Sequence, residues 1–206
     1  MNSPSPSDSL TQACPIPLID VCAYLAGAPG SLEQVASELR DALENVGFYY
    51  LAGHDVPQSL VDAVFAQTAA FHAQPVETKL NLRANEHNVG YMPVNGYVSR
   101  SSRVAKATKP NLVEAFFVKR DLAPEHPDVV ANIRYRCVNQ WPSIADLPDF
   151  RQVAVAYCDA MERLCKRMLP AYALALDLPA NHFDEGFVEP QYALRMSHYP
   201  PAETGE

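Results

Sequence analysis

The stretch from Asp149 to Leu176 constrains this chain more than any other. Phe150, Val153, Ala154, Tyr157, Met161, Leu164, Met168, Leu169, Tyr172 and Leu176 recur there at helical spacing and form one broad apolar stripe. Such a stripe has to be buried against a second layer, so it predicts the main core helix and demands other elements to cover it. Its Met and aromatic members read as core packing, not as cofactor contacts. Pro170 removes a backbone donor and clashes with the preceding turn, which predicts a kink or a break into two helices. Cys158 and Cys165, seven residues apart on the same helix, read as two small core residues and not as a redox pair.

The covering elements are legible upstream. Ile16-Pro17-Leu18-Ile19-Asp20 is a short apolar run whose Pro17 restricts it to a sheet edge or a strand start. Ser31 with Gln34 fits a capping box, and Leu32, Val35, Ala36, Leu39, Leu43 and Val46 continue at helical spacing to Gly47, giving a helix over 31–46. Phe48–Leu51 then favours a strand. A second helix follows Pro57, with Leu60, Val61, Val64, Phe65 and Phe71 on one face, and ends before Pro75; a short helix over 76–84 comes after it. Asn85–Pro110 has no sustained periodicity and reads as a long irregular excursion. Leu112–Val118 is a candidate buried strand, and Tyr192–Tyr199 reads as a final strand stopped by Pro200-Pro201. The whole is a mixed α/β (α+β) chain.

Composition narrows the function classes. With 206 residues and 48% hydrophobic content, one domain with a sizeable core is expected. The Ser- and Pro-rich residues 1–15 read as a disordered tail without a secretion signal. No apolar run approaches the ~20 residues that span a bilayer, so no membrane role and a cytoplasmic location are expected. The five cysteines show no C-x-x-C pair, which disfavours a disulfide framework or a thiolate zinc site. A net charge of −8 argues against nucleic-acid binding. Yet residues 79–136 hold Lys79, Arg83, Arg100, Arg103, Lys106, Lys109, Lys119, Arg120, Arg134 and Arg136 against five acidic residues. That basic run reads either as a solvated face or as a mouth attracting a carboxylate-bearing small molecule.

Three segments carry a family resemblance. They are IPLIDV (16–21) with GFYYLAGHDVP (47–57), then PNLVEAFFVKRDLAPEHP (110–127), and finally NQWPSIADLPDFRQVAVAYCDAMERLCKRMLPAYALALDLP (139–179) with LRMSHYPP (194–201). Together they resemble the N-terminal part of non-haem iron dioxygenases of the isopenicillin N synthase and 2-oxoglutarate type. The resemblance implies the N-terminal helices and first strands of a double-stranded β-helix, or jelly roll. It divides the chain into a tail (1–15), an N-terminal region (16–140), and a core helix with the first strand of the oxygenase domain (141–206). It also implies Fe(II) and 2-oxoglutarate, a small-molecule substrate, and iron held by two histidines and a carboxylate. In the family the H-x-D pair follows the Y-P-P strand, so the chain is expected to stop before its iron ligands. His126-Pro127-Asp128, with His182 further on, imitates that pattern but falls in a Pro-rich connection, and no metal ligand or catalytic residue is assigned to it.

The last strand gives the candidate site. Successive side chains point to opposite faces, so Arg195, Ser197 and Tyr199 share one face while Leu194, Met196 and His198 share the other. An Arg, a hydroxyl and a phenol aligned in this way can donate hydrogen bonds to carboxylate oxygens. By resemblance, Tyr199 matches a tyrosine that contacts the co-substrate or substrate carboxylate, and Tyr91 matches a region that lines the substrate pocket. The expected function is that of the N-terminal portion of an Fe(II)/2-oxoglutarate-dependent oxidoreductase. Two alternatives stand beside it: an oxidase of the isopenicillin N synthase kind that does not use 2-oxoglutarate, and a non-catalytic fragment that associates with a partner segment through an unpaired sheet edge.

Overall fold

The computed structural model describes residues 16–94 and 112–201. The expected tail and most of the excursion after Asn85 therefore lie outside the described residues. The chain divides into two compact units, one formed by the residues up to Asp55 with Arg163–Val188, the other by Val56–Glu162 with the residues from Glu189 on.

In the first unit, β1 (Leu18–Asp20) pairs in parallel with β2 (Tyr50–Ala52), in the register Leu18 with Tyr50 and Asp20 with Ala52. Parallel strands need a crossover, and α1 (Cys22–Leu25) and α2 (Ser31–Asn45) supply it. The helical spacing read in α2 buries Val35, Ala36, Leu39 and Ala42 on one face. Gly47 adopts φ +92° just past the helix end, and its N–H donates to the Ala42 carbonyl at 3.0 Å, a C-terminal closure that favours glycine. The N-terminus differs from expectation. Gly30 is the cap, and the Ser31 hydroxyl donates back to the Ala28 carbonyl at 2.5 Å, so no capping box forms. Arg40 ties α2 to the end of the long helix through Asp177 at 2.6 Å.

The second unit holds α3 (Gln58–His72), α4 (Val76–Leu80), β3 (Gly90–Met92), β4 (Glu114–Lys119), α5 (Pro127–Val130), the start of α6 (Phe150–Ala175) and β5 (Ala193–His198). The three strands form an antiparallel sheet in the order β3-β4-β5, with Tyr91 opposite Phe116 and Met196 opposite Phe116 from the other side. Those three residues, with Val118 and Leu194, make the apolar face, and Val64 and Phe71 of α3 and Phe150 and Ala154 of α6 complete the core. Phe71 sits at its centre, its ring 4.5 Å from Phe116 and 5.6 Å from Phe150, in tilted arrangements that suit aromatic quadrupoles.

The N-Q-W-P segment turns out to be a clamp on this sheet. The Asn139 side chain accepts the Lys119 N–H at 2.9 Å and donates to the Lys119 carbonyl at 3.0 Å, extending β4 as a strand partner would. Gln140 donates to the Val89 carbonyl at 2.8 Å, and Trp141 packs against the core. This explains Gly90: a Cβ there would lie 2.3 Å from the Leu82 carbonyl oxygen and 2.7 Å from Gln140, at φ +109°. Thus β3 exists inside a segment that carries no periodicity, because three residues are too few to show any.

One expectation is narrowed along α6 and one is corrected. Of the kink or break expected at Pro170, the break does not occur: the helix continues through the proline as one element. Cys158 is buried as expected but Cys165 is exposed. Burial pushes the Cys158 thiol up to about 11. Among the described cysteines, iodoacetamide should therefore modify Cys22 and Cys165 in the native protein and reach Cys137 and Cys158 only after denaturation, as peptide mass mapping would show. Helix α3 gives a second test. Phe71→Ala should cost about 3–5 kcal/mol in urea unfolding, whereas Phe65→Ala on the same helix, at a side chain 70% exposed, should stay within about 0.5 kcal/mol.

Candidate functional site

Strand β5 presents its side chains as the alternation predicts. Arg195 lies opposite Phe117 and Ser197 opposite Ala115, on the face turned away from Phe116 and Met196. Arg195 is exposed, and its guanidinium stands 5.7 Å from the centre of the Phe117 ring. Ser197 is half-buried, and Tyr199, one residue past the strand end, is exposed. Tyr91 lies elsewhere. It is 1% exposed on the core face, and its hydroxyl donates to Glu114 at 2.5 Å.

That Glu114 carboxylate is the centre of a cluster which no sequence pattern announced. It is only 5% exposed on the core side of β4. Its Oε2 accepts from Lys79 Nζ at 2.8 Å and from the Tyr91 hydroxyl, and its Oε1 lies 2.8 Å from His198 Nδ1 and 3.4 Å from His72 Nδ1. Lys79 also donates to the His72 carbonyl at 2.9 Å. Burial alone would raise the carboxyl pKa, but the hydrogen bonds from Lys79, Tyr91 and His198 outweigh it and hold the group at about 2. His72 Nε2 is 3.1 Å from the Met196 carbonyl, which can only accept, so that nitrogen carries the proton. Desolvation lowers the His72 pKa and keeps the ring neutral. Its Nδ1 then turns a lone pair into the cluster, buried and without a hydrogen-bond partner.

The basic run of 79–136 is largely built into the structure where it is described. Lys79 pairs with Glu114, Arg120 with Glu162 at 2.5 Å, and Arg136 with Asp128 and Glu189, while Lys119 stands 5.2 Å from the Tyr135 ring centre. Arg100, Arg103, Lys106 and Lys109 fall outside the described residues.

The family model for the "non-haem dioxygenase in morphine synthesis N-terminal" region matches residues 16–144. The chain belongs to this dioxygenase N-terminal family. Clavatol oxidase claD of Penicillium crustosum is 32% identical over 195 residues, covering 90% of this chain and 57% of the relative. The 2-oxoglutarate-dependent dioxygenase citB of Monascus ruber is 33% identical over 193 residues, covering 91% and 56%. Among solved structures, a 2OG-Fe(II) oxygenase family protein from Caulobacter crescentus superposes with a TM-score of 0.70 at 26% identity, over 91% of this chain and 57% of its own. A full-length Neurospora crassa protein, solved in complex with alpha-KG, superposes with a TM-score of 0.71 at 25% identity, over 92% of this chain and 55% of its own. The chain thus spans about half the length of the relatives it matches, and its mixed α/β fold is that of the 2-oxoglutarate-Fe(II) oxygenases.

The family implies iron, and among the described residues two groups have the donor types to hold a metal: His72/Glu114/His198 and His126/Asp128/Glu189. The second is already filled by a cation, because the Arg136 guanidinium bonds both Asp128 and Glu189, and His126 Nδ1 caps α5 by accepting the Asp128 N–H at 3.2 Å. The first has two imidazoles and a carboxylate, the donor set that suits Fe(II). It does not fit the catalytic iron of this family beside the predicted co-substrate residues, since Arg195 and Ser197 point to the opposite face of the sheet from Glu114 and His198. Lys79→Met, which strands the buried carboxylate, should destabilise the protein by roughly 3–5 kcal/mol in denaturant titration. Adding Glu114→Gln should recover part of that loss, because the two residues act through one contact.

Proposed function

We propose that this chain is the N-terminal portion of an Fe(II)/2-oxoglutarate-dependent oxidoreductase that acts on a small organic molecule. The observation that carries this reading is the family match over residues 16–144, joined to relatives that are themselves 2-oxoglutarate-dependent dioxygenases. In this class 2-oxoglutarate is decarboxylated oxidatively as dioxygen oxidises the substrate, and the protein's part is to orient the reactants.

Within that reading, Arg195, Ser197 and Tyr199 form one wall of the co-substrate pocket. Arg195 supplies a planar fork suited to a carboxylate, and its stacking distance from Phe117 restrains the fork and lowers the cost of ordering it. Ser197 and Tyr199 add hydroxyl donors on the same side of the strand. Tyr91 contributes through the Glu114 cluster that fixes β3 against β4, since its hydroxyl is committed inside the core. No helix among the described residues is long and apolar enough to cross a membrane.

The test is succinate formation from 2-oxoglutarate by the full gene product carrying this chain, with Fe(II) and ascorbate. Iron-dependent succinate release is expected, and Arg195→Ala should raise the KM for 2-oxoglutarate about ten-fold or more, the loss of one charge-assisted contact of about 1.5–3 kcal/mol. Absence of any iron-dependent consumption of 2-oxoglutarate would overturn the reading.

A further inference from the structure

We propose that His72 Nδ1, Glu114 Oε1 and His198 Nδ1 form a binding site for one divalent cation of the zinc class, distinct from the iron of the proposed activity. The ligand atoms come from three elements, α3, β4 and β5, and all lie within 4.8 Å of one another. Two of the separations are 3.4 and 2.8 Å. Ligand atoms at about 2.0–2.1 Å from a tetrahedral metal stand about 3.4 Å apart, so the His72–Glu114 edge already has that spacing and the Glu114–His198 edge has to open by about 0.6 Å.

Three further features argue for a cation instead of a plain hydrogen-bond network. First, His72 Nδ1 is buried without a hydrogen-bond partner, and its lone pair faces Glu114 Oε1 at 3.4 Å, an oxygen whose only nearby donor among the described residues, His198, leaves the His72 lone pair unsatisfied. Second, the outer partners are those that ready ligands for a metal: the Met196 carbonyl fixes the His72 tautomer, and Lys79 and Tyr91 hold Glu114 through Oε2, leaving Oε1 to the site. Third, an open cavity of about 320 Å³ reaches the cluster, lined by His72, Ser197 and His198 together with Phe65, Thr68 and Ala69. It gives the ion an entry path and room for a water as fourth ligand.

Binding asks little of the protein. The proton that His198 Nδ1 donates to Glu114 moves to Nε2 of the same ring, which is half exposed and can be solvated. Lys79 has already neutralised Glu114, so the cation gains less Coulomb energy than at an unpaired carboxylate. The two imidazole nitrogens therefore decide the ion, favouring zinc, cobalt or nickel over the oxygen-seeking magnesium or calcium.

The experiment is calorimetric titration of the 206-residue chain with Zn(II), against the variants His198→Gln and, as a control from the other cluster, His126→Asn. The wild type should bind one equivalent and gain thermal stability. His198→Gln should weaken binding by at least about ten-fold and lose the thermal shift, with His126→Asn unchanged. A wild type that binds no stoichiometric Zn(II), or a folded His198→Gln that binds as tightly as the wild type, would overturn the proposal. If His198→Gln does not fold, X-ray absorption of the Zn(II) or Co(II) form decides. Two imidazoles with oxygen support the site, whereas sulfur ligation or an all-oxygen shell refutes it. None of these readouts depends on 2-oxoglutarate turnover, so the site and the proposed activity can fail separately.

Discussion

A single buried carboxylate organises the second unit. Placing Glu114 in the core costs several kcal/mol of lost hydration, and that cost is offset only when donors are in place around it. They come from three other elements: Lys79 from α4, Tyr91 from β3 and His198 from β5, while His72 from α3 faces the same carboxylate at longer range through a lone pair. Apolar contacts between Phe71, Phe116 and Phe150 supply most of the attraction but tolerate sliding. The carboxylate does not. A one-residue slip of β5 would carry His198 to the far side of the sheet and bring an apolar or exposed neighbour against Glu114, so the polar cluster selects the register that the aromatic core merely permits.

The same strand therefore answers to two demands. Its Met196 and His198 side is fixed by the core and by Glu114, and its Arg195 and Ser197 side stays accessible. Alternation makes these demands separable in chemistry and inseparable in position: whatever sets His198 also sets Ser197 and Tyr199 beside it. The N-Q-W-P clamp acts from the other end of β4, where Asn139 brackets Lys119, so the central strand is held at both termini by side chains and along its length by two neighbours.

What could be read in the sequence followed the length scale of the interaction. Helix α2, its Gly47 ending, the long α6 and the facing of Arg195 against Met196 all rest on local periodicity, and each is present. Strand β3 is three residues long and is created by its partner and by the space Gly90 leaves for Gln140, information held on another segment. Ser31 and Gln34 matched a capping box by composition, but Gly30 in a left-handed conformation took the cap position and sent the hydroxyl to Ala28. Pro170 left a kink or a break open, and the long helix continues through it unbroken, since one missing donor does not end a helix of this length.

The Glu114 cluster was illegible for a stronger reason. Lys79 and Glu114 are 35 positions apart, and Glu114 and His198 are 84 apart, so no motif spacing can contain them. The one string that imitated a metal motif, His126-Pro127-Asp128, is local, and its geometry shows why locality was deceptive: Arg136 supplies the positive charge those side chains need. In the remote cluster the only full positive charge among the described residues is Lys79, and it is spent on the outer oxygen of Glu114. The inner oxygen accepts from His198, and the His72 lone pair, buried 3.4 Å from that oxygen, has no donor of its own. Buried polar atoms are rarely left so, and a gap bounded by two imidazoles and a carboxylate has the chemistry of a cation site.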